Sequence, residues 1–181
     1  MDYVFSLMGD FLRTITGKIA RERDEELRVL GREFAPLSSP FPRYGTWELA
    51  ERYGEDWEHH ASLEHKTPFW AVSHKREFYD REDPERPGRY INYGLIYPEG
   101  FGEGLFGAER EFEYETILRK MREGGMDESR YEIYLRYART GLVPSAGGGF
   151  GVEGLARYLT GAAHVGDVQL FKRIPGVMVD I

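Results

Sequence analysis

The chain has 181 residues, 41% hydrophobic and 30% charged, which is the balance of an ordinary globular domain. Acidic residues outnumber basic ones by 31 to 24, so the sequence lacks the basic footprint typical of nucleic-acid-binding proteins. It has no cysteine, which excludes disulfides, thiol catalysis and cysteine–zinc sites. There is no signal peptide and no long apolar run, which predicts a cytoplasmic protein without a membrane partner.

The first part of the chain is predicted to be mainly helical. Apolar residues at steps of three and four predict one amphipathic helix over residues 3–30. An extended, proline-rich segment follows over 35–43, and Thr46 is the expected N-cap of a short helix over 47–53. Residues 55–66 are polar and give no assignment. The first helix opens without an N-cap signal, which suggests that part of the domain lies upstream.

The remainder of the chain is predicted to alternate strands and helices. In order, we expect a strand at 69–72, a charged surface turn at 80–88, strands at 90–97 and 104–110, helices at 111–123 and 128–140, a glycine-rich strand at 147–153, and a helix ending at Gly161. This order predicts an α+β fold, a largely antiparallel sheet flanked by helices, in one domain over residues 1–181. The strands near 90–97, 104–110 and 147–153 are expected to be neighbours.

The segment Gly102–Glu111 could carry a ligand site. Its small residues would leave room for a ligand above a sheet. The carboxylate of Glu103 could hold Mg²⁺, and the guanidinium of Arg110 could clamp a carboxylate with two hydrogen bonds. Strand alternation places these two side chains on opposite faces. The alternative is a charged edge strand with glycines that serve only packing.

The glycine run of residues 146–153 is a second candidate site. Bare backbone at Gly149 and Gly151 would let a flat ring lie close to the sheet. The run is neither a dinucleotide-binding fingerprint nor a P-loop, because the required element order and the Gly-Lys-Ser/Thr sequence are missing. A bulged strand or a flexible loop is the alternative.

The histidines and aromatic residues give weaker signals. His60 and His65 do not have the spacing of a helical zinc pair, and no HExxH motif occurs. We expect these histidines, together with His59 and His74, to be solvated or packed. We likewise expect the many aromatic side chains to pack in cores rather than to stack on bases.

Taken in order, the motifs resemble the end of a class II aminoacyl-tRNA synthetase catalytic core of the aspartate/asparagine branch. They are Gly-Glu-x-x-x-Gly-Ala-x-Arg-Glu at 102–111, Val-Pro-x-Ala-Gly-x-Gly-x-Gly-x-Glu at 143–153, Tyr-x-Thr-Gly at 158–161 and Arg-x-Pro-Gly at 173–176. Pro-Phe-Pro-Arg at 40–43 resembles asparaginyl-tRNA synthetases. Asn-Tyr-x-Leu-x-Tyr-Pro-Glu-Gly at 92–100 resembles the archaeal asparagine synthetases related to them. The resemblance covers residues 3–176.

This resemblance implies an enzyme that uses ATP and Mg²⁺ to form an aminoacyl adenylate. Synthetases then pass the adenylate to tRNA, and the related asparagine synthetases pass aspartyl adenylate to ammonia. Carried over by position, Glu103 is a ligand of ATP and Mg²⁺, and Arg110 holds the side-chain carboxylate of aspartate. Gly149 and Gly151 form the floor of the nucleotide site.

Four positions depart from the family pattern. Gly94 stands where the family has an aspartate near the metal, and Phe106 stands where it has a small serine. Ser145 replaces a histidine, and Gly154 replaces the arginine that covers the adenine. The family's motifs for dimerisation and for the α-phosphate arginine would lie before residue 1.

These departures predict a ligase domain that is inactive as this chain alone. We expect it to form a homo-oligomer or to need a missing N-terminal half. Its small-molecule substrates would be ATP and aspartate or asparagine, and its acidic charge argues against tRNA binding. The alternative is a non-catalytic paralogue or a decayed fragment that retains the fold as a binding or structural module.

Overall fold

The computed structural model describes residues 1–75 and 77–172, which form a five-stranded sheet covered by helices. In chain order the elements are α1 (Asp2–Glu22), α2 (Asp24–Val29), β1 (Arg43–Gly45), α3 (Thr46–Tyr53), α4 (Trp57–Glu64), β2 (Phe69–Val72), β3 (Asn92–Tyr97), β4 (Gly102–Glu109), α5 (Tyr114–Glu123), α6 (Glu132–Thr140), β5 (Ala146–Phe150) and α7 (Val152–Thr160). Short 3-10 helices lie at Glu128–Tyr131 and Val165–Val168. The motif at residues 173–176 lies outside the described part. None of the described helices has the length and apolar character needed to span a bilayer.

The strand order in the sheet follows the chain order, β1-β2-β3-β4-β5. β1 runs parallel to β2, and every other neighbouring pair is antiparallel. The predicted α+β fold is therefore confirmed, and so is the expectation that the strands now called β3, β4 and β5 lie side by side.

One face of the sheet packs against α1 and α7. Its buried side chains are Trp70, Tyr93, Leu95, Tyr97 and Leu105, which meet Phe5, Leu12, Leu155 and Tyr158 from the helices. Tyr97 and Tyr158 stack with ring centroids 4.7 Å apart and planes 9° from parallel. Burial raises the pKa of the Tyr158 hydroxyl to about 12. This aromatic layer fixes α7, the helix that follows the glycine-rich strand.

The opposite face is covered at one end only. Phe69, Ala71 and Ile96 pack there against Leu49 of α3 and Ala61 of α4. A third apolar cluster joins α5 and α6 to Phe78, in the segment between β2 and β3. The part of the face between these clusters stays open above β4 and β5.

Arg32 connects segments that lie far apart in the chain. Its Nη2 donates to the backbone oxygen of Tyr158, 126 residues away, at 2.9 Å, and its Nη1 donates to Glu99 at 2.6 Å. The guanidinium also lies 5.5 Å from the ring centroids of Phe34 and Phe101. Because the side chain is largely buried, these interactions are screened by water less than a surface ion pair would be.

A β-bulge interrupts the pairing of β3 with β4. Leu95 pairs with Leu105, but Ile96 pairs with Glu103, so Gly104 has no partner residue. A Cβ atom on Gly104 would lie 2.8 Å from Oη of Tyr97 and closer still to its ring carbons. The extra residue shifts the side-chain alternation by one position, so Glu103 and Arg110 lie on the same face of the sheet. The prediction that they lie on opposite faces is wrong.

The helices at the N-terminal end of the chain differ from the prediction in two places. The helix predicted over 3–30 breaks at Arg23, whose φ of -131° and ψ of 23° are not helical. Thr46 is the first helical residue rather than the cap, and its hydroxyl donates to the oxygen of Ser73 at 2.7 Å. The backbone nitrogen of Gly45 donates instead to Oε2 of Glu48 at 2.6 Å, which closes the first turn.

Three further differences concern the elements around the sheet. The unassigned residues 55–66 contain α4, whose apolar residues do not fall on one face. The helix predicted to start at 111 starts at Tyr114, and the one predicted to start at 128 opens with a 3-10 turn. The glycine-rich strand ends at Phe150, so the last residues assigned to it belong to α7.

Replacing Gly104 by alanine should destabilise the fold by about 1–3 kcal/mol, because the methyl group overlaps the Tyr97 ring, which Tyr158 holds in place. Gly149→Ala is the matched control, since no atom lies within 4 Å of the added carbon. Urea unfolding of the two variants tests the bulge. Equal losses of stability would contradict its packing role.

Candidate functional site

The open part of the sheet forms a cleft of about 460 Å³. It is lined by Glu77, Tyr79, Glu103, Gly104, Leu105, Phe106, Arg110, Gly149 and Gly151. Four residues singled out in the sequence, Glu103, Arg110, Gly149 and Gly151, thus lie around one space. Phe106, one of the departures from the family pattern, lies there too. β4 and β5 bring them together because the two strands are direct neighbours.

The glycines of β5 make the floor of the cleft flat. A Cβ on Gly148 would lie 2.9 Å from the backbone oxygen of Phe106, so this strand needs a glycine to approach β4. A Cβ on Gly149 would project into open space. A planar group can therefore lie on the backbone at Gly149 without meeting a side chain of β5.

Arg110 lies at one end of this floor, and neighbouring protein groups fix the orientation of its guanidinium. Its Nη1 lies 3.2 Å from Oδ1 of Asp80, and its Nη2 donates weakly to the oxygen of Gly147 at 3.4 Å. The guanidinium also lies 5.1 Å from the centre of the Tyr79 ring. Its side chain remains 35% exposed, and a guanidinium has five N–H donors. Donors therefore remain for a ligand in the cleft.

Asp80 and Asn92 form a buried polar network behind Arg110. Both side chains are 0% exposed, and Nδ2 of Asn92 donates to Oδ2 of Asp80 at 2.9 Å. Asn92 also bonds both backbone groups of His74, with distances of 2.7 and 2.8 Å. The prediction of a surface turn at 80–88 is wrong for Asp80. The sequence signal was a polar Asn92 inside an apolar strand, which requires a buried partner.

A second buried ion pair adjoins this network. Nζ of Lys120 donates to the backbone oxygen of Asp80 and lies 3.7 Å from Oε2 of Glu111. Burial lowers the pKa of the Lys120 ammonium, which the nearby carboxylates partly oppose. The described side chains next to Asp80 thus form two ion pairs, Arg110 with Asp80 and Lys120 with Glu111.

Glu103 lies at the other end of the cleft, beside α4. Its backbone nitrogen donates to Oε1 of Glu58 at 3.2 Å. Within residues 1–75 and 77–172 there is no group of three or more histidine or carboxylate side chains that could hold a metal ion. The side chains described here therefore do not fit a metal held by the protein alone.

The other departures from the family pattern lie next to residues that line this cleft. A Cβ on Gly94 would lie 3.3 Å from Nε2 of His74 and 3.4 Å from Oε2 of Glu103, so the position faces Glu103. The Phe106 ring packs edge-on against His74 with centroids 5.3 Å apart. Gly154 lies in the first turn of α7 with open space around it, and the oxygen of Ser145 accepts a hydrogen bond from the Arg110 nitrogen at 2.8 Å.

Two of the histidines pack against aromatic rings, and two are exposed. His65 lies 4.3 Å from the Phe69 ring and His74 lies between Trp57 and Phe106. His59 and His60 are exposed neighbours on α4. These positions agree with the expectation of packed or solvated rings.

A family model described as tRNA synthetases class II (D, K and N) matches residues 1–175. The chain belongs to the class II tRNA synthetases. The asparagine–tRNA ligase of Thermococcus gammatolerans is 36% identical over 131 residues, which are 71% of this chain and 30% of that protein. The corresponding ligase of Thermus thermophilus is 30% identical over 195 residues, covering 93% of this chain and 44% of that protein.

Solved structures of class II synthetases show the same fold. Asparaginyl-tRNA synthetase from Pyrococcus horikoshii superposes with a TM-score of 0.82 at 27% identity, over 98% of this chain and 47% of that one. Its complex with asparaginyl-adenylate gives the same TM-score at 26% identity, over 98% and 45%. This class II chain thus spans less than half the length of the relatives it matches.

A carboxylate introduced at position 94 should make the stability of the fold depend on Mg²⁺. Gly94→Asp would crowd His74 and place a second negative charge beside Glu103, which we expect to cost about 1–3 kcal/mol without a metal. Mg²⁺ at millimolar concentration should recover part of this loss, because two carboxylates make a better oxygen site than one.

Thermal melts with and without MgCl₂ measure this effect, and Gly154→Asp is the control because its side chain would meet no neighbour. An equal response of both variants to Mg²⁺ would show that position 94 does not face a potential metal site.

Proposed function

We propose that this chain is the C-terminal part of an ATP-dependent, adenylate-forming class II ligase domain of the aspartate/asparagine branch, acting in the cytoplasm. Its cleft would bind aspartate or asparagine at Arg110 and ATP over Gly149 and Gly151. The observation that carries this proposal is the meeting of Arg110, Glu103 and the glycine floor in one cleft. A solved relative that contains asparaginyl-adenylate supports it.

Adenylate formation joins a carboxylate oxygen of the amino acid to the α-phosphorus of ATP. The bond from that phosphorus to the bridging oxygen breaks, and pyrophosphate leaves with the electron pair. Cations near the phosphates normally stabilise the charge that develops in such a transition state. Gly154 stands where the family has an arginine that covers the adenine, and the bulky Phe106 lines the cleft together with Glu103. We therefore infer that this chain alone binds ATP weakly and does not form the adenylate.

A second candidate is a non-catalytic module that retains the fold for binding. Phe106 lines the cleft together with Glu103, and Gly154 has no side chain that could cover a nucleotide. The ligase function leaves the acceptor open between tRNA and ammonia, although the net charge of -7 disfavours tRNA. The two candidates differ in whether an upstream segment or a second chain restores adenylate formation.

The isolated chain should give no asparagine-dependent or aspartate-dependent exchange of pyrophosphate into ATP. Weak ATP binding follows from the glycine at position 154, where the family has an arginine, and from the bulky Phe106 in the cleft, and each missing charged contact costs on the order of 1–3 kcal/mol. Radiolabelled pyrophosphate exchange measures the activity, and calorimetry with Mg-ATP measures the binding.

Exchange that disappears in Glu103→Ala, but persists in the exposed control Glu51→Ala, would overturn the inactive interpretation. A gain of exchange when Gly154→Arg is introduced would show that the missing arginine is the main defect, because a Cβ at that position has no atom within 4 Å.

An apolar surface on α1 supports self-association of the isolated chain. Tyr3, Leu7 and Phe11 follow one another at steps of four and are 78%, 52% and 40% exposed. Phe11 packs edge-on against Phe150, the last residue of β5, with centroids 5.5 Å apart. Among the described strands β5 pairs with β4 alone, so its other edge adjoins this apolar surface. We propose that a second copy covers both.

Light scattering across a concentration series should therefore show self-association of the isolated chain. Leu7→Lys should weaken it about tenfold or more, because a charge would enter the apolar surface. Val29→Lys is the control, because Val29 is an apolar residue on α2 that is 83% exposed. A monodisperse monomer at every concentration would contradict the proposal.

A further inference from the structure

Asp80 is a buried carboxylate that contacts Arg110, the residue proposed to bind the amino acid. It is 0% exposed, and its two oxygens serve different partners. Oδ1 lies 3.2 Å from Nη1 of Arg110, and Oδ2 accepts from Nδ2 of Asn92 at 2.9 Å. The carboxylate therefore fixes the orientation of the guanidinium and also lies next to its charge.

The charges around this guanidinium are already paired. Arg110 faces Asp80, and the neighbouring ammonium of Lys120 lies 3.7 Å from the carboxylate of Glu111. Among the described side chains around Asp80, two positive groups therefore face two negative ones. A ligand that approaches Arg110 finds free N–H donors, but Asp80 already balances the charge of the guanidinium.

We propose that Asp80 makes this cleft select the side-chain amide of asparagine over the side-chain carboxylate of aspartate. This inference rests on the proposed binding of an amino acid at Arg110. A second carboxylate beside the Arg110–Asp80 pair would lose hydration without gaining a net opposite charge, whereas an amide oxygen accepts the same hydrogen bond without adding charge. Asp80 is thus a positioning and specificity-determining residue that acts through Arg110.

The wild-type chain should bind L-asparagine about tenfold more tightly than L-aspartate, the scale expected for one unit charge close to the ligand. Two-dimensional NMR titrations with each amino acid measure both dissociation constants in the millimolar range. In Asp80→Asn the guanidinium loses its counter-charge, so binding of aspartate relative to asparagine should strengthen by about tenfold or more. A purely structural role would weaken both ligands equally.

A second variant covers the case in which Asp80→Asn fails to fold. An amide there places an NH₂ group against the donors of Asn92 or Arg110. The double change Asp80→Asn with Asn92→Asp restores the donor–acceptor pair between these two side chains and moves the negative charge away from Arg110, although it removes the hydrogen bond from residue 92 to the oxygen of His74. It should still shift the ratio toward aspartate. Glu111→Gln is the control, since it removes a buried carboxylate that pairs with Lys120 instead.

The outcomes separate the two proposals. A wild-type chain that binds neither amino acid would overturn the proposed function, and this inference with it. A chain that binds asparagine and aspartate with equal constants, or a ratio that both variants of Asp80 leave unchanged, would overturn the inference alone. A shift of the same size in Glu111→Gln would also overturn it, because the selectivity would then follow the general charge of the site.

Discussion

The β-bulge at Gly104 is the constraint on which the site depends. Without it, strict alternation along β4 would turn Glu103 toward the apolar layer beneath the sheet and away from Arg110. The bulge needs a residue without a side chain, because the ring of Tyr97 occupies the adjacent space. Tyr97 in turn is stacked on Tyr158 of α7. The aromatic layer on one face thus determines which side chains meet on the other.

The buried charges behind Arg110 follow from the same architecture. A guanidinium just beyond the end of a strand is oriented when a second element brings an acceptor to it, and the segment before β3 does so with Asp80. Asn92 then satisfies the remaining oxygen of that carboxylate. Burying such groups is costly unless each is paired, so the arrangement favours one fixed geometry for Arg110 over a mobile one.

Local signals in the sequence were sufficient for much of the fold. The strand now called β3 is rich in aromatic and branched residues, and the glycines of residues 102–104 and 147–151 marked the two strands that line the cleft. The rest depends on partners distant in the chain. The burial of Asp80 follows from Arg110 and Asn92, and the shared face of Glu103 and Arg110 follows from a register shift. α4 was missed because its apolar residues do not form one stripe.

The strand order also has a consequence for how the chain folds. Because β1 to β5 lie in sequence order, each strand can join the sheet beside the one that precedes it, and the longest of these connections runs through residues 110–145. The contact of Arg32 with Tyr158 instead bridges 126 residues. Closing such a loop carries a larger entropy cost, so it is expected to form after the sheet. The glycine floor would then acquire its fixed shape late, when α7 docks against the aromatic layer.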